Sequence, residues 1–165
     1  MGALTSQLGQ LGLWGAALGT GTMAGVYFTF STFVMKSLDR LPESQGISAM
    51  QSINRQILSS LFMPLFFGTS ALSLGLGLWA LMRWGQPGAA AVLIGALVYI
   101  LGMFVCTAAG NVPLNDMLDG IAPQQADAAR HWARYLTQWT RLNHLRTVAS
   151  ALAAGLFTNG IVASS

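Results

Sequence analysis

Charge is what this sequence has least of. Only 8% of its 165 residues are Asp, Glu, Lys or Arg, against the roughly 25% of an average soluble domain. The first of them is Lys36. Cysteine is nearly absent as well. Cys106 stands alone, which excludes an internal disulfide and any relay between paired thiols, and leaves the redox compartment unreadable. The two histidines, His131 and His144, are thirteen positions apart and form no helical HxxxH pair. Asp116, Asp119 and Asp127 match no metal-binding spacing, and a metal or a haem held through His144 is disfavoured, with no metal ligands and no cofactor expected. No glycine-rich phosphate loop, nucleophile elbow or dinucleotide fingerprint occurs. Nor is there a clustered basic face, so nucleic acid is not an expected partner, and the net charge of +3 suits anionic lipid headgroups.

Apolar sequence fills the space. Residues 1–35, 56–82, 84–115 and 147–165 carry no formal charge, and each is long enough to cross a bilayer, which takes about 20 residues as helix. A secretory signal is the competing reading of the first stretch. It lacks a basic leader and its apolar run is longer than a signal core, so it is expected to be retained. The length fits one domain, 1–165. The expected fold is all-α, a bundle of four transmembrane helices at about 8–35, 56–82, 88–110 and 143–163. Pro64 is placed inside the second helix, as a kink. Arg83, Gly85, Gln86 and Pro87 make a tight turn between the second and third spans, and NVPLN (111–115) follows the third.

From 124 to 141 the pattern is amphipathic. Trp132, Tyr135, Leu136, Trp139 and Leu142 share one helical face, and Arg130, Arg134, Gln138 and Arg141 another. This predicts an interfacial helix that turns into the fourth span. One long helix protruding from the bilayer is the alternative. Gly15, Gly19, Gly21 and Gly25 repeat the small-xxx-small spacing that lets membrane helices approach closely, which is compatible with a homo-oligomer. Lys36, Arg40, Arg55, Arg130, Arg134 and Arg141 lie in the first and third connections and only Arg83 in the second. The positive-inside rule therefore places 36–55 and 111–142 in the cytoplasm and both termini outside, in an inner or plasma membrane.

That topology gathers scarce polar groups at one end of the bundle: Asn54, Arg55, Asn111, Asn115, Asn143, His144 and Arg146. In WTRLNHLRT (139–147), Trp139, Asn143 and Arg146 share a face at i, i+4, i+7, with Thr140, His144 and Thr147 on the adjacent stripe. Histidine is the side chain best suited to proton exchange near neutral pH, and a neighbouring arginine can stabilise an enolate or phenolate. The competing structural readings are a capping His144 and an Arg146 snorkelling to phosphate. Trp139 and Arg141 also read as interfacial anchors. Asn111 and Asn115 flank Pro113 and suit either helix capping or ligand contact. Asn54 and Arg55 fit an anionic or carbonyl ligand, or a bond to residues 111–115. Tyr27 can wall an aromatic ligand and offer a hydroxyl.

The runs GTMAGVYFTFSTFVM (21–35), GISAMQSINRQI (46–57), NVPLN and WTRLNHLRT, in this order and separation, resemble the anthrone oxygenase-like family of small four-helix membrane proteins. The resemblance implies oxidation of an anthrone to an anthraquinone by molecular oxygen. Loss of a proton from the methylene beside the ketone gives an electron-rich anion able to reduce oxygen without a metal. Residue chemistry then offers His144 as base, Arg146 or Arg55 as anion stabiliser, Asn111, Asn115 and Asn143 as positioners, and Tyr27 with Trp139 as ring-facing walls. A lipophilic aromatic or quinone-like molecule, oxygen and the bilayer are the implied partners. A non-catalytic holder of such a ligand, or a structural membrane subunit, remains the alternative.

Overall fold

A computed structural model describes residues 7–164. Residues 1–6 and 165, and with them the chain ends to which the sequence assigns a side of the membrane, lie outside the described residues. The described chain is entirely helical between its turns. Helix α1 covers 7–39 and contains a π-helical stretch, Phe30–Val34. It is followed by α2 (Glu43–Leu58), α3 (Phe62–Met82), α4 (Ala89–Asp119) and α5 (Ala128–Ser164). Three of these, α3, α4 and α5, are long and apolar enough to cross a membrane. Their outward faces carry bare leucines such as Leu78, Leu97 and Leu152, as surfaces solvated by lipid do. That combination marks a membrane protein.

Helices α1, α3, α4 and α5 pack around one core of Leu13, Met23, Tyr27, Phe66, Val92, Tyr99, Met103 and Phe157. Small residues set the helix separations. A Cβ on Gly160 would stand 2.5 Å from Val92 Cγ2, and one on Gly77 would stand 2.7 Å from Ala96 Cβ. Gly15 and Gly19 likewise lie against Leu72 and Thr69 of α3, so this half of the glycine pattern serves contacts within the chain. The α3–α4 turn forms as expected, with Gly85 and Gly88 at φ +91° and +82°, conformations that favour glycine. Gln10 Nε2 donates to Ser164 Oγ at 3.4 Å, and Gly88 abuts Gly160. Both described chain ends therefore lie beside this turn.

A second cluster caps the opposite end: Met35, Leu38, Ile47, Met50, Leu118, Trp132, Tyr135 and Trp139. Helix α2 lies across it, tied down by Gln51 Nε2, which donates to the carbonyls of Leu118 and Ile121 at 2.8 and 2.9 Å. At the start of α5, Asp127 Oδ2 meets His131 Nε2 and Arg130 Nη2, each at 3.1 Å. The His131 contact chiefly, and Arg130 with it, holds the Asp127 carboxyl below the usual carboxylate range.

Three expectations change. There is no interfacial helix separate from a fourth span: α5 runs unbroken for 37 residues, the long-helix alternative, because its aromatic face is buried in the cap continuously with the bundle. The span expected over 56–82 starts at Phe62, after a break at 59–61. Pro64 thus sits in a first turn, where its missing N–H costs little, rather than as a kink. The third helix does not stop near Gly110 but passes Pro113 to Asp119. A π turn, Thr107–Asn111, precedes the proline, with Val112 N–H bonded to Thr107 O five residues back. The wider turn relieves the clash that a proline ring makes with a regular α-helical turn.

Candidate functional site

Where the cap meets the bundle, α1 to α5 together enclose a cavity of about 230 Å³. Its walls are mostly rings and aliphatic chains. Phe62, Phe66 and Phe67 come from the start of α3, Phe104 from α4, Phe30 from α1, and Met50, Ile53 and Ile57 from α2. Phe66 stacks on Phe62 at 5.8 Å and on Phe104 at 5.4 Å, which makes one side of the cavity a slab of flat faces. Leu58, Phe67 and Val112 belong to the lining yet are exposed on the protein's outside, so the cavity opens toward the lipid-facing surface between α2, α3 and α4.

Against this apolar background stands one buried cation. Arg146 is only 4% exposed and lines the cavity. Its guanidinium carbon lies 4.4 Å from the Tyr27 ring centre and 4.9 Å from that of Trp139, close enough for cation–π attraction to both. Nη2 donates to Asn143 Oδ1 at 2.8 Å and Nη1 makes a long contact to Thr107 Oγ1 at 3.5 Å, while Nε has no partner. Among the described residues no carboxylate pairs with it. Burying an ionised group without a counter-ion is expensive, so the electrostatics of the site are set for an anion.

The arginine's pose is imposed by α1. Asn143 Nδ2 donates to Tyr27 O and to Ser31 Oγ, both at 2.7 Å, which leaves Oδ1 for Arg146. Ser31 also meets Thr147 at 3.0 Å. These contacts straddle the start of the π stretch Phe30–Val34, and the two π stretches of α4, Ile100–Val105 and Thr107–Asn111, border the same cavity. Such stretches are rare and concentrate at functional sites.

Several groups singled out in the sequence converge here. Tyr27, Asn54, Asn115, Trp139 and Arg146 all line the cavity. Trp139 is 5% exposed, so it is not a headgroup-level anchor; it stacks with Tyr135 at 6.1 Å and meets Phe30 at a tilt at 5.6 Å. Asn143 and Asn111 are buried behind the wall. Asn111 Nδ2 donates to Trp139 O at 3.3 Å, and its own Oδ1 is unpartnered.

Two groups do not join them. Arg55 is exposed and pairs with Asp119 at 2.8 Å outside the cavity. His144 is exposed, in a shallow groove on another face with Lys36, Asp39, Thr140 and Arg141. One residue along a helix turns about 100°, so the register that points Asn143 and Arg146 inward turns His144 out. Arg146, being buried, does not snorkel. The sequence does not single out the phenylalanine slab, Thr107 or Tyr135, which backs Asn115, as site residues. The i, i+4, i+5 spacing of Phe62, Phe66 and Phe67 was the available signal for the slab. Among the described residues no group of three or more His, Cys, Asp or Glu comes together to hold a metal ion.

Fold and site together define a helical membrane protein with a lipid-accessible aromatic cavity built around a buried cation. Residues 60–156, more than half of the chain, match the sequence model of the anthrone oxygenase family, and the chain belongs to that family. No curated protein and no solved structure matches it.

Proposed function

We propose that this chain is a membrane-embedded oxidoreductase that takes a planar aromatic molecule, anthrone- or hydroquinone-like, from the bilayer and oxidises it with molecular oxygen. The observation that carries this reading is Arg146, a buried guanidinium without a carboxylate in the wall of a flat apolar cavity. An anthrone loses a proton from its methylene and places the charge on its ketone oxygen. A fixed cation lowers the cost of that anion, and it acts strongly in a site from which water is excluded. His144 lies outside the cavity, so the base that takes the methylene proton in this reading is hydroxide or a buffer base from solvent, which is released as water or as the protonated buffer, and not the imidazole. The anion then reduces oxygen. One O2 supplies the new carbonyl oxygen and leaves the remainder as water, whereas a hydroquinone would give quinone and hydrogen peroxide. Neither reaction requires a metal or an organic cofactor.

In this reading α1 is a fourth span beside α3, α4 and α5. The cavity end, flanked by Lys36, Arg40, Arg55, Arg130, Arg134 and Arg141, faces the cytoplasm of an inner or plasma membrane. The exposed Gly21 and Gly25 of α1 offer the surface on which copies of the chain would associate.

A second reading is favoured by one observation: among the described residues no histidine or carboxylate lines the cavity, which suits a protein that holds a lipophilic anion without turnover. Oxygen uptake by the detergent-purified protein with anthrone, compared between native chain and Arg146→Met, decides between them. Uptake by the native protein that is lost in the variant supports oxidation. Binding without uptake overturns it in favour of the holder.

A further inference from the structure

In the polar wall of the cavity Asn115 presents its amide nitrogen with both hydrogens unspent. Trp139 Nε1 and Tyr135 Oη both donate to Asn115 Oδ1, each at 2.9 Å. An indole N–H can only donate, so the atom it meets is the amide oxygen, and the orientation of the amide follows from chemistry rather than from assignment. Both acceptor positions of that oxygen are then filled. The amide nitrogen makes no hydrogen bond among the described residues, and Asn115 lines the cavity. Two hydroxyls of the wall have no hydrogen left to give a ligand, and Asn54 Nδ2 spends one of its two on Tyr135 Oη at 3.5 Å. Thr107 Oγ1 directs its hydrogen to Met103 O at 2.7 Å, and the Tyr27 hydroxyl directs its own to Met103 Sδ at 3.3 Å. Arg146, across the same indole, has donors only.

We propose that Asn115 Nδ2 is a specificity-determining donor. The cavity selects planar aromatics with two oxygens, one ionised against Arg146 and one neutral carbonyl or hydroxyl oxygen against Asn115. This rests on the anion-binding reading of Arg146 and adds a second recognition point to it. Trp139 couples the two, since its ring carries the cation and its N–H fixes the amide.

Anaerobic titration of the purified full chain tests this, because the ligand is then not consumed. The probes are anthrone, with one oxygen, and 1,8-dihydroxyanthrone, with three. Native protein is expected to bind the hydroxylated probe roughly five- to tenfold more tightly, the worth of one neutral hydrogen bond. Asn115→Asp keeps an oxygen for Trp139 and Tyr135 and removes the donor. Its added charge weakens both anionic probes alike, so the ratio between them reports the donor and is expected to fall to near one. A native ratio near one, or a ratio unchanged in Asn115→Asp, overturns the proposal. Should the variant not fold, the native ratio still decides. Failure of both probes to bind native protein overturns the Arg146 reading as well, which distinguishes the two failures.

Discussion

The two ends of this bundle are held together by different physics. Toward the α3–α4 turn, helices meet through small residues, Gly77 on Ala96 and Gly160 on Val92, and the contacts are mostly shape, with the long Gln10–Ser164 hydrogen bond beside them. Toward the cap, the same helices meet through Asn143, Asn115, Asn111 and Arg146, with the stacked Trp132, Tyr135 and Trp139 behind them. Close packing of small residues leaves no room for a ligand. The polar end holds its helices apart around a cavity and fixes side-chain directions by hydrogen bonds. Rigidity at one end and a shaped, charged vacancy at the other are a division of labour along one set of helices.

Substitutions that exchange these characters separate stability from chemistry. The largest effect is expected from Arg146→Met: a loss of anthrone-dependent oxygen uptake of about a hundredfold or more, the scale of removing one transition-state charge stabiliser. Its melting temperature should hold or rise, because a buried unpaired charge has been replaced by an apolar chain. Gly160→Leu should behave in the opposite way. Overpacking against Val92 is expected to cost roughly 1–3 kcal/mol in thermal or denaturant unfolding, while uptake per folded molecule stays close to native. Trp139→Phe keeps a ring for Arg146 and removes the N–H that orients Asn115, so its mark should be a several-fold drop in preference for the hydroxylated anthrone with most of the anthrone affinity retained.

Arg55→Ala removes an exposed ion pair with Asp119, and such pairs contribute below about 1 kcal/mol; uptake and melting temperature should both stay near native. The smallest effect is at Asp127. A carboxyl held low in the folded chain adds stability that is fully present above its unfolded value, about pH 4, and is lost as pH falls through the folded one. Melting curves should therefore show a slight acid-side loss, and Asp127→Asn should flatten it by giving up the same slight stability at neutral pH.

How much of this the sequence discloses follows the same division. Uncharged stretches mark the apolar helices, and the glycines at 85 and 88 mark a turn that only they accommodate easily. The convergence of Asn54, Asn115, Trp139 and Arg146 is legible too, because topology alone brings the two long connections to one end. The direction of individual side chains is not. The π stretches of α1 and α4 shift the register by a fraction of a turn, so a 3.6-residue period extrapolated through them misassigns faces. His144, next to an inward-facing Asn143, shows how one position separates a cavity wall from a surface groove. The break at 59–61 is marked only by Ser59 and Ser60, which carry no charge and leave the uncharged stretch continuous, and the burial of Trp139 is hidden because an aromatic residue near a membrane surface fits an anchor equally well.

The anion is the central point, and the absorption spectrum of bound anthrone reports it directly. Proton loss extends conjugation and moves the absorption to longer wavelength. Added anaerobically at neutral pH to the native protein, anthrone should show the band of its anion, and Arg146→Met of unchanged melting temperature should bind it, if at all, with the spectrum of the neutral compound. An anion band that persists in Arg146→Met, or a neutral spectrum in fully bound native protein, would contradict the assignment of Arg146 as the group that holds the charge.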